Sequence, residues 1–169
     1  MTPNRRRPAV GPALLVSALA LGAAGCAGDP AAKVAVPSPT KTTARLCGAL
    51  DRELPSSMDG AERSDPEPAS GLTAAWDGGI VLRCGVPQPA DAESTTARSV
   101  EVDGVSWLTE ERSDGSYRFT AILREAYVEV TLPAKFPGGA APLVDLAPAV
   151  SKAIPEGVAP ADDGVEAAG

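Results

Sequence analysis

The stretch Ile80-Val81-Leu82-Arg83-Cys84-Gly85-Val86-Pro87 constrains this chain most. Its residues alternate: Ile80, Leu82, Cys84 and Val86 share one side of an extended backbone, and Val81, Arg83 and Gly85 take the other. Pro87 ends the run, since proline has no N–H to give a sheet ladder. The pattern predicts a strand with one buried face, and a cysteine sits on that face. The chain has three cysteines, Cys26, Cys47 and Cys84. The roles of Cys26 and Cys47 therefore bear directly on the fold.

Cys26 closes a distinctive N-terminal segment. Asn4-Arg5-Arg6-Arg7 is basic, residues 8–25 carry no charge, and residues 13–24 are apolar. The run ends Ala23-Ala24-Gly25-Cys26. A basic start, a short apolar run and small residues before a cysteine are the pattern of a bacterial secretory signal with a lipobox. Ala23 stands where leucine is commoner, and Pro8-Ala9-Val10 lacks the rest of a twin-arginine signal. A spanning helix is the rival reading, but the run is short, preceded by Pro12 and interrupted by Gly22. Residues 1–25 are therefore expected to be a lipoprotein signal peptide. Cys26 is expected to carry the lipid (palmitate or a similar acyl chain) that holds the protein to the membrane. The expected location is the outer face of the cytoplasmic membrane.

Loss of Arg5, Arg6 and Arg7 would reduce the basic residues from 15 to 12 against 22 acidic ones, so the charge of −7 becomes −10. Such a balance excludes nucleic acid as a partner and electrostatic binding to anionic lipid. The chain has no histidine, which removes the commonest general base and the commonest transition-metal ligand. No cofactor or metal site is expected. Asp162-Asp163 lacks the spaced oxygen ligands of a calcium loop.

Residues 26–43 are small, polar and dotted with proline, and read as the lipidated cysteine followed by a flexible tether. Fully extended as polyproline, its seventeen residues after Cys26 would reach roughly 50 Å. Ser38-Pro39-Thr40-Lys41 has the spacing of a serine acyltransferase motif, but prolines flank the serine and no partner motif follows.

Residues 44–155 read as a single α+β domain. Leu46, Leu50 and Leu54 recur at helical spacing with Cys47 on their face, Thr42 or Thr43 as the cap and Pro55 as the stop. Residues 55–71 read as a long irregular connection, with Trp76 a core plug beneath it. Four strands are predicted, over residues 80–86, 99–110, 117–124 and 127–132. In the second, Val105 and Trp107 have the opposite parity to Val100 and Val102. Asp103-Gly104 must reset the register as a bulge or a hairpin turn, and the short preceding run favours the bulge. In the third, Tyr117, Phe119, Ala121 and Leu123 are placed inward; in the fourth, Val128, Val130 and Leu132. Asp145 is the expected cap of a last helix, residues 146–154, with Pro148 in its first turn and a stripe of Leu146, Ala147, Val150 and Ile154. The architecture expected is a small antiparallel sheet of about four strands with both helices on one face. Residues 156–169 read as a disordered acidic tail.

With Cys26 lipidated in an oxidising compartment, Cys47 and Cys84 are left to pair. The disulfide would close 38 residues, counting both ends, a loop that the chain-entropy model values at about 4 kcal/mol.

Arg83 and Arg124 are the candidate binding residues. Both fall opposite the apolar face of their strands, where a pair of guanidinium groups suits a carboxylate or phosphate. The plainer alternative pairs them with Glu101, Asp103 or Glu129 on a solvated face. Glu101 with Asp103 and Glu110 with Glu111 are paired acids on strands or turns, where a solvated face is the plainer reading. Trp76 and Trp107 read as core residues in a chain this poor in aromatics.

Several of these segments resemble one family. They are Cys47-Gly48-Ala49-Leu50, Trp76, residues 80–87, Gly104-Val105-Ser106-Trp107 and Arg124-Glu125-Ala126-Tyr127-Val128-Glu129-Val130-Thr131-Leu132-Pro133. Together they look like a group of small actinobacterial envelope proteins, often lipoproteins, known only as a domain of unknown function. Members tend to have a glycine before the arginine where this chain has Leu123, and Trp-Gly-Asp-Pro where it has Trp76-Asp77-Gly78-Gly79. The resemblance implies an exported, membrane-attached domain and transfers no activity. The expected function is a non-catalytic binding or accessory module contacting an envelope protein or a cell-wall ligand. The alternative is a cell-wall or phosphate-directed hydrolase or transferase using Arg83, Arg124 and nearby carboxylates.

Overall fold

The computed structural model describes residues 31–58, 60–92, 94–134, 136 and 139–160. The expected signal peptide, Cys26 and the end of the acidic tail lie outside the described residues. Helix α1 spans Lys41–Glu53. Its cap is Thr40, whose hydroxyl accepts from the Thr43 amide, rather than Thr42 or Thr43. Thr43 instead lies buried within the first turn. Cys47 and Leu50 are buried on the helix face predicted for them.

The fold is α+β with an antiparallel sheet, but that sheet has eight strands rather than about four. They are β1 Ser57–Met58, β2 Ala61–Ser64, β3 Thr73–Trp76, β4 Ile80–Cys84, β5 Arg98–Val102, β6 Val105–Glu111, β7 Tyr117–Ile122 and β8 Val128–Leu132. Their order across the sheet is β1-β2-β3-β4-β8-β7-β6-β5. The first three are short and fall in the stretch expected to be irregular or just after it. Strand β2 reads Ala-Glu-Arg-Ser, with no apolar alternation to mark it. It is held from outside, because Arg63 donates to the carbonyl and the carboxylate of Asp51 on α1 and lies over the Trp76 ring.

Asp103-Gly104 is a hairpin turn and not the expected bulge. Val102 pairs with Val105, and both turn residues have positive φ, 47° and 77°. That is the backbone of a two-residue turn whose twist matches the flanking strands. It also explains the parity change, since a two-residue loop returns Val105 to the face of Val102.

Strand register sorts the sheet into two faces. On one, Ile80, Leu82, Cys84, Val128, Val130, Phe119, Ala121, Trp107 and Val105 form the core with residues of both helices. Helix α2 spans Ala141–Ala153, and it packs against α1 over this face. It starts before the predicted Leu146, with Pro142 in its first turn and no side-chain cap from Asp145. Pro148 consequently falls inside the helix, on its exposed side, where water can serve the carbonyl that lacks an N–H partner. The stripe of Leu146, Ala147, Val150 and Ile154 is fully buried. The predicted inward position of Leu123 is corrected: β7 ends at Ile122, and Leu123 turns outward, 66% exposed, with φ of 58°.

The second face is covered, though it was expected to lie open. Residues 31–40, read from sequence as tether, lie along β3 and β4. Val34 and Pro37 are buried. The Val34 amide donates to Glu67 O, the Glu67 amide to Ala32 O, and Arg83 Nε to Ala35 O at 3.0 Å. Pro39 reaches Gly85, where a built Cβ would come within 2.7 Å of its ring, so that glycine admits the crossing chain. Residues 86–90 border the other half of this face. Beneath these segments Thr73, Ala75, Leu108, Thr120 and Glu129 are buried. Burial extends from Val34 to Ala159, beyond both limits of the 44–155 domain read from sequence.

Candidate functional site

The covered face carries a chain of four charges. Arg83 on β4 stands directly opposite Glu129 on β8, and Arg118 on β7 directly opposite Glu110 on β6. Arg83 Nη1 donates to Glu129 Oε1 at 3.1 Å, and Arg118 Nη1 to Glu129 Oε2 at 3.5 Å. The Arg118 guanidinium meets Glu110 through two nitrogens, Nη2 and Nε, each 2.9 Å from a different carboxylate oxygen. Glu129 is thus shared by two arginines, one on each oxygen, and its side chain is only 10% exposed. Burial pulls the Arg118 guanidinium toward deprotonation. The hydrogen bond and charge of Glu110, with those of Glu129, outweigh burial and hold its pKa above the ordinary arginine value.

A cavity of about 280 Å³ opens beside this chain, bounded by Arg83, Arg118, Glu110, Thr120 and the loop from Val86 to Ala90. Two guanidinium groups face two carboxylates, so the network is formally neutral. An anionic ligand would have to displace Glu129 from the arginines. The arrangement is a latch across β4, β8, β7 and β6 with a polar, charge-compensated pocket at its side.

Arg124 is elsewhere. It follows β7, is 5% exposed, and donates Nη1 to Ile154 O at 3.0 Å and Nη2 to Gly104 O at 2.8 Å. Ser151 Oγ accepts from the same Nη2 at 3.4 Å, and Glu156 Oε1 lies 3.9 Å away. It caps the C-terminus of α2 and fastens the β5–β6 turn to it. Among the described residues Arg83 and Arg124 have different partners, and the cavity beside Arg83 is not lined by Arg124, so the structure does not bring the two together. Arg83 does pair with Glu129, one of the three carboxylates named for the plainer reading, and with neither Glu101 nor Asp103 among the bonds described.

Sequence reasoning overlooked Arg118. Its parity in β7, opposite Phe119 and Ala121, was the available signal. The register that brings it to Glu129 was not readable. Trp76 and Trp107 are core residues, 2% and 0% exposed, and Trp76 Nε1 donates to Pro55 O. Cys47 and Cys84 form the predicted disulfide, with Cα atoms 5.5 Å apart, and it ties α1 to β4. Among the described residues, no group of three or more His, Cys, Asp or Glu side chains is placed to hold a metal ion, and no helix is long and apolar enough to cross a membrane.

No curated protein and no solved structure matches the chain. Residues 9–159 match the family described as "Protein of unknown function (DUF3515)", and the chain belongs to that family.

Proposed function

We propose that this member of the DUF3515 family is a non-catalytic binding or accessory module of the cell envelope, held on the outer face of the cytoplasmic membrane by lipid on Cys26. The observation that carries this reading is the cysteine arithmetic. Cys47 and Cys84 are joined within the core, which leaves Cys26 the third and last cysteine, directly after Ala23-Ala24-Gly25 and the apolar run. A buried disulfide suits an oxidising compartment. A lone cysteine at the end of a secretory-type segment suits lipid attachment.

The use of the charges bears on the enzymatic alternative. Arg83 and Arg118 are engaged by carboxylates, and Arg124 by backbone carbonyls. The hydrolase or transferase alternative needed Arg83 and Arg124 in one pocket with carboxylates, and no observation places them there. Partners of this module would be an envelope protein or a cell-wall polymer.

Replacement of Cys26 by Ala tests the anchor. The expected result is an unprocessed precursor or release from the membrane fraction, with loss of label from a fed fatty acid. A variant that is cleaved and still sediments with membranes overturns the lipid reading. Crosslinking in intact cells, followed by capture of the wild-type chain, tests the binding role. Repeated failure to recover a common protein or glycan counts against it.

A further inference from the structure

The chain meets the fold much nearer to Cys26 than composition implies. Ala32 O already accepts from the Glu67 amide, and Lys33 is bridged to Glu67. Five residues lie between Cys26 and Ala32, and the six steps from one to the other span about 20 Å at full extension. Ala31 and Ala32 lie beside Asp77, Gly78 and Gly79, the turn between β3 and β4. That turn marks one end of the sheet. By register the same end holds the last residue of β8, Leu132, and the first of β7, Tyr117.

An apolar cleft of about 310 Å³ opens at this end, bounded by Tyr117, Phe119, Leu132, Pro133, Ala134 and Phe136. Tyr117 and Phe119 stack with centroids 6.3 Å apart, and Tyr117 is 37% exposed. Thr109 borders the cleft, and its hydroxyl is buried with no hydrogen-bond partner among the described residues. The cleft and the arriving chain are neighbours: a Cβ built on Gly79, beside Ala31 and Ala32, would lie 3.6 Å from Pro133 Cγ.

We propose that this end of the sheet rests on the bilayer and that the cleft seats against phospholipid acyl chains at the membrane surface. The inference rests on the lipid anchor at Cys26 proposed above. A tether of about 20 Å keeps the end where the chain arrives next to the lipid, whereas the opposite end is held away by the length of the strands. Aromatic and aliphatic side chains in an open cleft gain by contact with the boundary of headgroups and acyl chains, where tyrosine is at home. Asp65 and Asp77 flank the arriving chain, so attraction to anionic headgroups is not the driving force. The lipid anchor supplies the proximity and the cleft supplies the orientation.

The test uses the full lipidated chain in vesicles of phosphatidylethanolamine and phosphatidylglycerol doped with a shallow doxyl-labelled lipid. A fluorophore is placed at Ala134→Cys, beside the cleft, or at Val158→Cys. Val158 follows Gly157, whose amide donates to Leu123 O beyond the other end of β7. The probe at position 134 is expected to be quenched about twofold, and the probe at position 158 to be unaffected. Equal quenching at both positions, or at neither, in protein that floats with the vesicles overturns the proposal and leaves the anchor intact. Failure to float overturns the anchor, and the proposal with it. Tyr117→Asp is expected to abolish the difference while flotation persists; unchanged quenching would remove the cleft from the contact. Shielding of position 134 in the absence of vesicles, rising with protein concentration, would give the cleft to a second copy and overturn the lipid assignment.

Discussion

Arg124 reaches from the end of β7 to the carbonyl of Ile154, the residue that closes α2, and with its other nitrogen holds the carbonyl of Gly104 in the β5–β6 turn. One buried guanidinium thereby joins a helix end, a hairpin tip and a strand end that are far apart in sequence. Truncation to Ala leaves two carbonyls without their charged donor. Arg124→Ala is expected to cost about 2–4 kcal/mol in urea unfolding. Arg124→Lys, with one compact ammonium in place of a fork, should recover less than half of that. A loss below about 0.5 kcal/mol for the Ala variant would contradict the clasp.

Glu129 holds Arg83 and Arg118 at once, from a strand between theirs. Glu129→Ala should therefore harm stability more than Arg83→Ala, because it takes an acceptor from two guanidinium groups, leaving Arg83 with Ala35 O and Arg118 with Glu110, whereas Arg83→Ala leaves Glu129 still paired to Arg118. Both arginines are about a third exposed, which limits each pair to a modest value. A double-mutant cycle between positions 83 and 129 is expected to give a coupling of about 1 kcal/mol, falling in high salt. A coupling indistinguishable from zero would reduce the latch to a contact of no energetic weight.

Leu123 sits at φ of 58° with its side chain in solvent. A branched residue with a Cβ is strained in the left-handed region, and this one gains no burial in return. Leu123→Gly is expected to stabilise the protein by up to about 1 kcal/mol, a rise of a few degrees in Tm. The opposing term is the greater freedom of glycine in the unfolded chain. Leu123→Val, β-branched and worse in this region, should lower Tm. An unchanged Tm for both variants would mean the backbone there relaxes without cost.

The alternation that marked β4 and β8 was legible because each buries a full face of valine, leucine and isoleucine. The same reasoning found the Leu146 stripe and the Cys47–Cys84 pair. It failed at β2, where an alanine and three polar residues form a strand whose Arg63 is tied to Asp51 and Trp76. It failed again at residues 31–40, where two buried side chains, Val34 and Pro37, and hydrogen bonds to Glu67 and Arg83 hold a proline-dotted segment against the sheet. At the candidate site, parity placed Arg83 on the right face. Its partners depended on strand order, which runs β4-β8-β7 and brings Glu129 between the two arginines. The placement of Arg124 on the open face of a strand failed because its parity was read through a strand that ends two residues earlier, at Ile122.

Asp114 in the β6–β7 turn accepts from both the hydroxyl and the amide of Ser116. These two bonds, the hydroxyl first, hold its carboxyl below the ordinary 3.8. A depressed acid stabilises the fold at pH values above its unfolded pKa, and that contribution fades as pH falls through the folded value. The turn should therefore stay closed at neutral pH and loosen only in acid below 3.8. Carboxyl chemical shifts followed by NMR are expected to give a midpoint for Asp114 under that figure. Ser116→Ala removes the larger donor and keeps the amide, so it should move the midpoint upward without reaching the value of a free aspartate. A native Asp114 that titrates at or above 3.8 would mean the two bonds do not persist in solution.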